Sequence, residues 1–116
     1  MTRVVSLPGP FEIRRIIEFE GPFREPNDLI PAAVPEAMKE TRTYRDPKYF
    51  DQTNNKLIMA FHGILVRTPR SRILVDACLG NNKHRPHVPE WHMRSGPFIE
   101  DLAEAGVSVD AIDYVL

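Results

Sequence analysis

Ser71-Arg72-Ile73-Leu74-Val75-Asp76-Ala77-Cys78-Leu79-Gly80-Asn81-Asn82-Lys83 is the stretch on which the fold turns. Arg72 to Asp76 is a short apolar run that reads as a strand, and a polar loop rich in Gly, Asn, His and Pro follows over residues 77–94. Ser95-Gly96-Pro97 then opens a helix, with Pro97 suited to its first position. Phe98, Leu102 and Ala105 share one helical face, flanked by Ile99 and Ala103. Glu100 and Asp101 sit in the first turn, where negative charge favours the helix dipole, and Gly106 supplies a stop. Val109, Ile112 and Val115 lead into a last strand. The order strand, loop, helix, strand is a crossover unit, so its two strands are expected to lie parallel in one sheet.

Upstream, Leu57 to Val66 is nearly all apolar and reads as a strand buried on both faces. Thr68-Pro69-Arg70-Ser71 is a turn, and so short a connection makes an antiparallel hairpin with the strand after it. Residues 12–20 alternate, with Ile13, Ile17 and Phe19 on one face and Arg14, Glu18 and Glu20 on the other. Bounded by Pro10 and Gly21-Pro22, they read as an edge strand, with a short helix as competitor. Residues 22–56 are rich in Pro, Asn, Asp and Arg. Apart from a helical turn or two after Pro35, through Glu36 to Glu40, they read as a long irregular arm.

At 116 residues the chain is too short for two domains. A formal net charge of -1 gives no electrostatic reason for a nucleic acid or membrane-surface partner. The N-terminus lacks the apolar core of a signal peptide, because Arg3 is followed by few apolar residues before Pro8-Gly9-Pro10. The single cysteine, Cys78, rules out an internal disulfide, and a cytoplasmic protein fits. The sequence stops on Asp113-Tyr114-Val115-Leu116, which reads as the opening of a buried strand. The expectation is therefore an incomplete single domain over 1–116, with a strand and arm over 1–56 and the hairpin, loop, helix and strand over 57–116.

Asp76 stands at the C-terminal end of its strand, where open α/β sheets place functional groups, although an Asp there also simply caps the next turn. His84, His87 and His92 share a loop with Trp91, but their spacing matches no familiar ligand set, and incidental histidines in a solvated loop are the plainer account. His62, inside an apolar strand, fits a hydrogen-bonded core histidine. Cys78 has no partner histidine identifiable in the sequence, and lone cysteines commonly act as small buried hydrophobes. Gly80-Asn81-Asn82-Lys83 lacks the spacing of a phosphate-binding loop. Residue chemistry alone assembles no complete active site.

The run Ile73 to Lys83, then Arg85-Pro86 and Trp91, Pro97 to Gly106, and Asp110 to Leu116, preceded by Phe61 to Thr68, resembles the N-terminal half of a metallo-β-lactamase-fold hydrolase. It is most similar to the lactonase-like and organophosphate-hydrolase-like group, over about residues 57–116. The resemblance implies an α/β (α+β) chain, half of an αββα sandwich, whose mixed sheet carries a hairpin followed by a β-loop-α-β unit. It implies structural roles near the site for Asp76, Gly80, Asn81 and Lys83. The family's His-x-His-x-Asp-His metal motif would follow a strand like Asp113 to Leu116 and is absent here, so no residue receives a catalytic or metal-ligand role. The parent enzyme would use one or two metal ions, usually zinc, to activate water against a lactone or similar ester. This chain alone is expected to be inactive, to bind no zinc tightly and to self-associate through open strand edges. A small binding or regulatory module on the same half-fold is the alternative, and an unrelated domain with a metal-binding histidine loop is a third.

Overall fold

Among the described residues, apolar runs punctuated by Pro and Gly give six strands, four short helices and a 3-10 turn. A computed structural model describes the backbone of residues 2–6 and the whole of residues 9–116. The strands are β1 (Thr2–Ser6), β2 (Glu12–Arg24), β3 (Phe50–Asp51), β4 (Lys56–Arg67), β5 (Arg72–Val75) and β6 (Tyr114–Val115). The helices are α1 (Pro26–Leu29), α2 (Pro35–Lys39), α3 (Arg42–Arg45) and α4 (Phe98–Glu104), with the 3-10 turn at Val109–Ala111. The sheet runs in the order β1-β2-β4-β5-β6, and β3 pairs with β4. It is mixed. β4 and β5 form an antiparallel hairpin (Leu65 opposite Leu74), while β5 and β6 are parallel (Ile73 opposite Tyr114). The expected α+β class, the hairpin and the parallel crossover are all present. The reading of residues 3–8 as no signal peptide concerns side chains outside the described residues.

The chain divides into two units, Met1–Glu18 with Phe61–Leu116, and Phe19–Ala60. The first unit holds a core of Ile16, Leu65, Leu74, Phe98, Leu102, Ala105 and Val107, against which Cys78, Ala111 and Ile112 pack. Its helix α4 ends as the sequence expects. The Gly106 N–H donates to Ala103 O at 2.8 Å and the Val107 N–H to Leu102 O at 3.2 Å, with Gly106 at φ +83°. This double bond pattern satisfies two terminal carbonyls, and only glycine adopts that φ without strain. Arg67 donates to Ala105 O, so a cation also covers the negative end of the helix.

In the second unit Phe23, Met38 and Phe50 are buried, and the Tyr44 and Phe50 rings lie 5.0 Å apart. Pro26 and Pro35 open α1 and α2 as the first helical residues. Thr41 caps α3 by accepting from the Tyr44 N–H at 3.2 Å. The irregular arm is thus corrected to three helical turns and a short strand. Only the turn after Pro35 was expected; the Thr41 cap and Pro26 were overlooked as start signals.

Readings of the strands and of the start of α4 are also corrected. β2 continues through Gly21-Pro22 to Arg24 and is no edge, because β1 pairs outside it. A strand tolerates Pro wherever its missing N–H is not needed by the ladder. β2 buries Ile16 and Glu18, not the Ile13, Ile17 and Phe19 face. Hydrophobicity alternation misassigns the face when a carboxylate is buried with partners. On β4 only Gly63 and Leu65 are fully buried and the other residues are partly buried, so the expected full burial of both faces is not reached. β6 is exposed, at 59% for Tyr114 and Val115 and 76% for Leu116. Pro97 precedes α4 as its cap instead of opening it, and β5 ends at Val75, leaving Asp76 in the loop.

Candidate functional site

The loop after β5 is built around a residue that the sequence reading placed with Arg14 and Glu20, on the face of β2 opposite Ile13, Ile17 and Phe19. Glu18 of β2 is only 8% exposed. Its Oε2 accepts from the Leu79 N–H at 2.7 Å and its Oε1 from the Gly80 N–H at 3.0 Å. Arg94 comes back along the loop, with Nη2 donating to Glu18 O at 2.9 Å and Nε 4.0 Å from Oε1. A buried carboxylate needs such partners, and charge-assisted bonds of this kind are the strong ones. The signal that could have found Glu18 was an acidic residue set between Ile16-Ile17 and Phe19, upstream of a loop whose amides need acceptors.

Asp76, the first of the expected site residues, is exposed and lies in the left-handed region at φ +65°. Its Oδ1 accepts from the Cys78 N–H at 2.7 Å, which is the turn-capping role. Its own N–H donates to Leu116 O at 2.8 Å, and its carbonyl lies against Gly63, where an added Cβ would stand 2.6 Å away. Asn81 clasps Gly96: Nδ2 donates to Gly96 O at 2.8 Å and Oδ1 accepts from Gly96 N–H at 3.0 Å. Gly80 and Asn81 also wall a cavity of about 350 Å³, with Leu74, Ile99, Val109 and Val115 among its other walls. Lys83 is exposed, and its carbonyl accepts from the Met93 N–H at 2.8 Å. Asp76, Gly80, Asn81 and Lys83 therefore share one loop, and their polar bonds hold its shape. Cys78, Asn82 and Met93 also have positive φ. Left-handed backbone costs a non-glycine residue about 1–2 kcal/mol, so the loop stores strain that Glu18, Asn81 and Arg94 hold in place.

Cys78 is not an activated nucleophile. Burial pushes its thiol up to about 12, and the Glu18 and Asp76 carboxylates add to the effect. His84 and His92 do meet, edge to face at 5.1 Å. His92 Nδ1, however, already accepts from the Arg85 N–H at 3.0 Å. Among the described residues no group of three or more His, Cys, Asp or Glu could hold a metal ion. His62 lies partly buried on β4, with its Nδ1 atom enclosed.

No protein-family model and no curated protein matches the chain. A solved structure does. The chain is similar to the crystal structure of a probable metal-dependent hydrolase from Staphylococcus aureus, with a TM-score of 0.64 and 20% identity over 92% of this chain. The likeness is one of fold. The chain spans 36% of that structure's length, so the greater part of the larger protein has no counterpart in these 116 residues.

Proposed function

We propose that this chain is the N-terminal portion of a metal-dependent hydrolase of the metallo-β-lactamase superfamily, in the lactonase-like group. The observation that carries the reading is the mixed sheet with its β-loop-α-β unit, superposable over 92% of the chain on about a third of a protein described as metal-dependent. The Asp76 to Lys83 motif, quoted above as resembling that superfamily, forms the loop at the C-terminal end of β5, where α/β sheets place their sites. Metal ions, zinc by our reading, would be supplied with ligands from outside these residues. A lactone or similar ester is the substrate class. This chain contributes the buried Glu18, the strained loop and the Asn81 clasp, which fix the backbone beside the catalytic region without touching the reacting atoms.

The test is the coding DNA beyond the Leu116 codon, followed by assay of the longest product. A His-x-His-x-Asp-His codon run in any frame, and zinc-dependent lactone hydrolysis by that product, are expected. A downstream sequence without any such run overturns the fragment reading. A binding module built on the same half-fold is the second reading, favoured by one observation, the exposed strand β6. Such an edge can accept a strand from a partner.

A further inference from the structure

A cavity of about 580 Å³ lies within the loop between β5 and α4, inside the size range of roughly 300–1,000 Å³ usual for small-molecule pockets. Four of its walls are apolar: Leu79, Pro86, Val88 and Trp91. The other three are His84, the Arg85 guanidinium and His87, and among the described residues no carboxylate lines it. The cation is pre-positioned. The Arg85 N–H is held by His92 Nδ1 at 3.0 Å, and its Nη1 donates to Leu79 O at 3.1 Å. A guanidinium has five donors, so this bond leaves a fork edge for a bidentate acceptor. Trp91 is steadied as well, with its ring edge-on to Phe61 at 6.0 Å. The hairpin-like base of the loop is closed by Asn82 N–H to Arg94 O at 2.9 Å and Met93 N–H to Lys83 O at 2.8 Å.

From this geometry we infer that the cavity is a binding pocket for an organic carboxylate with an apolar or aromatic body. The apolar walls take the body and Arg85 takes the carboxylate, with His84 and His87 at its side. The inference deepens the hydrolase reading and rests on it for its place in a reaction: a lactone or ester hydrolase generates this class of product. A pocket already ordered by the protein's own bonds loses less affinity to ordering on binding.

The chain has one tryptophan, so Trp91 fluorescence reports on the pocket directly. Phenylacetate is titrated into the 116-residue chain, with 2-phenylethanol as the neutral analogue of the same body and inorganic phosphate as the anion without one. A saturable Trp91 response to phenylacetate, at least about tenfold tighter than to either control, is expected. Arg85→Gln is expected to weaken phenylacetate about tenfold and to leave 2-phenylethanol unchanged, with the circular dichroism spectrum preserved. Arg85→Lys, which keeps the charge and loses the fork, should fall between. Equal affinity for phenylacetate and 2-phenylethanol, equal affinity for phosphate, or no saturation overturns the inference. That comparison on the unaltered chain decides the matter even if a variant fails to fold. Because no turnover is measured, a negative result leaves the hydrolase reading standing, and that reading falls separately on the downstream coding sequence.

Discussion

Glu18 holds the loop through two backbone amides, at Leu79 and Gly80, with the Arg94 guanidinium beside it. Truncation by Glu18→Ala leaves the Leu79 and Gly80 amides and Arg94 without their carboxylate. Losing a buried charged acceptor costs about 2–4 kcal/mol, against less than about 0.5 for Glu100→Ala on the exposed side of α4. Urea denaturation measures the difference, and hydrogen exchange should quicken at Leu79 and Gly80 in particular. Cys78 gives a second test. Its folded thiol holds its proton up to about 12, above the ordinary value of 9.0. The folded state therefore binds that proton more tightly than the unfolded state does. Its stabilising contribution is complete below pH 9.0 and is lost as pH rises towards 12, a trend that Cys78→Ala should flatten. At about pH 8, iodoacetamide should modify native Cys78 more than about tenfold slower than the urea-unfolded chain, read by intact mass.

At the scale of elements, two glycines are fixed by geometry. Gly106 stands at φ +83° in the cap of α4, so Gly106→Ala should cost about 1–2 kcal/mol. Gly63→Ala would press a Cβ to 2.6 Å from the Asp76 carbonyl, which is backbone and cannot rotate away. Overpacking of that kind costs about 1–3 kcal/mol, and here it should also displace the end of β5, visible as faster exchange of the Cys78 amide. The same elements show what a sequence can reveal. The hairpin at Thr68–Ser71, the crossover and the α4 stop at Gly106 were readable because their signals are local: turn residues, apolar spacing and punctuation. The face of β2 was not, because it depends on Glu18 meeting amides 61 and 62 residues later. The Arg85 pocket was hidden for a related reason. Its histidines invited a metal reading, while the bond between Arg85 N–H and His92 Nδ1 exists only once the loop is folded.

For the whole molecule, the exposed β6 is the feature with the largest consequence for behaviour in solution. An exposed apolar edge strand is a template for pairing with another chain. Light scattering of the purified 116-residue chain should show species larger than its 13.3 kDa, and a monodisperse monomer with a sharp melt would count against an incomplete sheet. The chain should also show no micromolar zinc binding by calorimetry. Tight binding lost on mutating His84 and His87 would revive a histidine-loop metal site. No helix among the described residues is long and apolar enough to cross a membrane.

The Asn81 clasp on Gly96 works as a buckle for everything strung between them. Two side-chain bonds bring residues 15 apart in sequence together, so the strand before and the helix after meet the loop at fixed points. Because the closure entropy of a loop grows only slowly with its length, the part of this segment closed by the Lys83–Met93 bond at its base can be lengthened, shortened or rewritten at small cost to the scaffold, while Arg94 must keep its hold on Glu18. Selection could therefore retailor the pocket's walls as an exchangeable cassette, leaving Asn81 and Gly96 as the seam at which such exchanges are made.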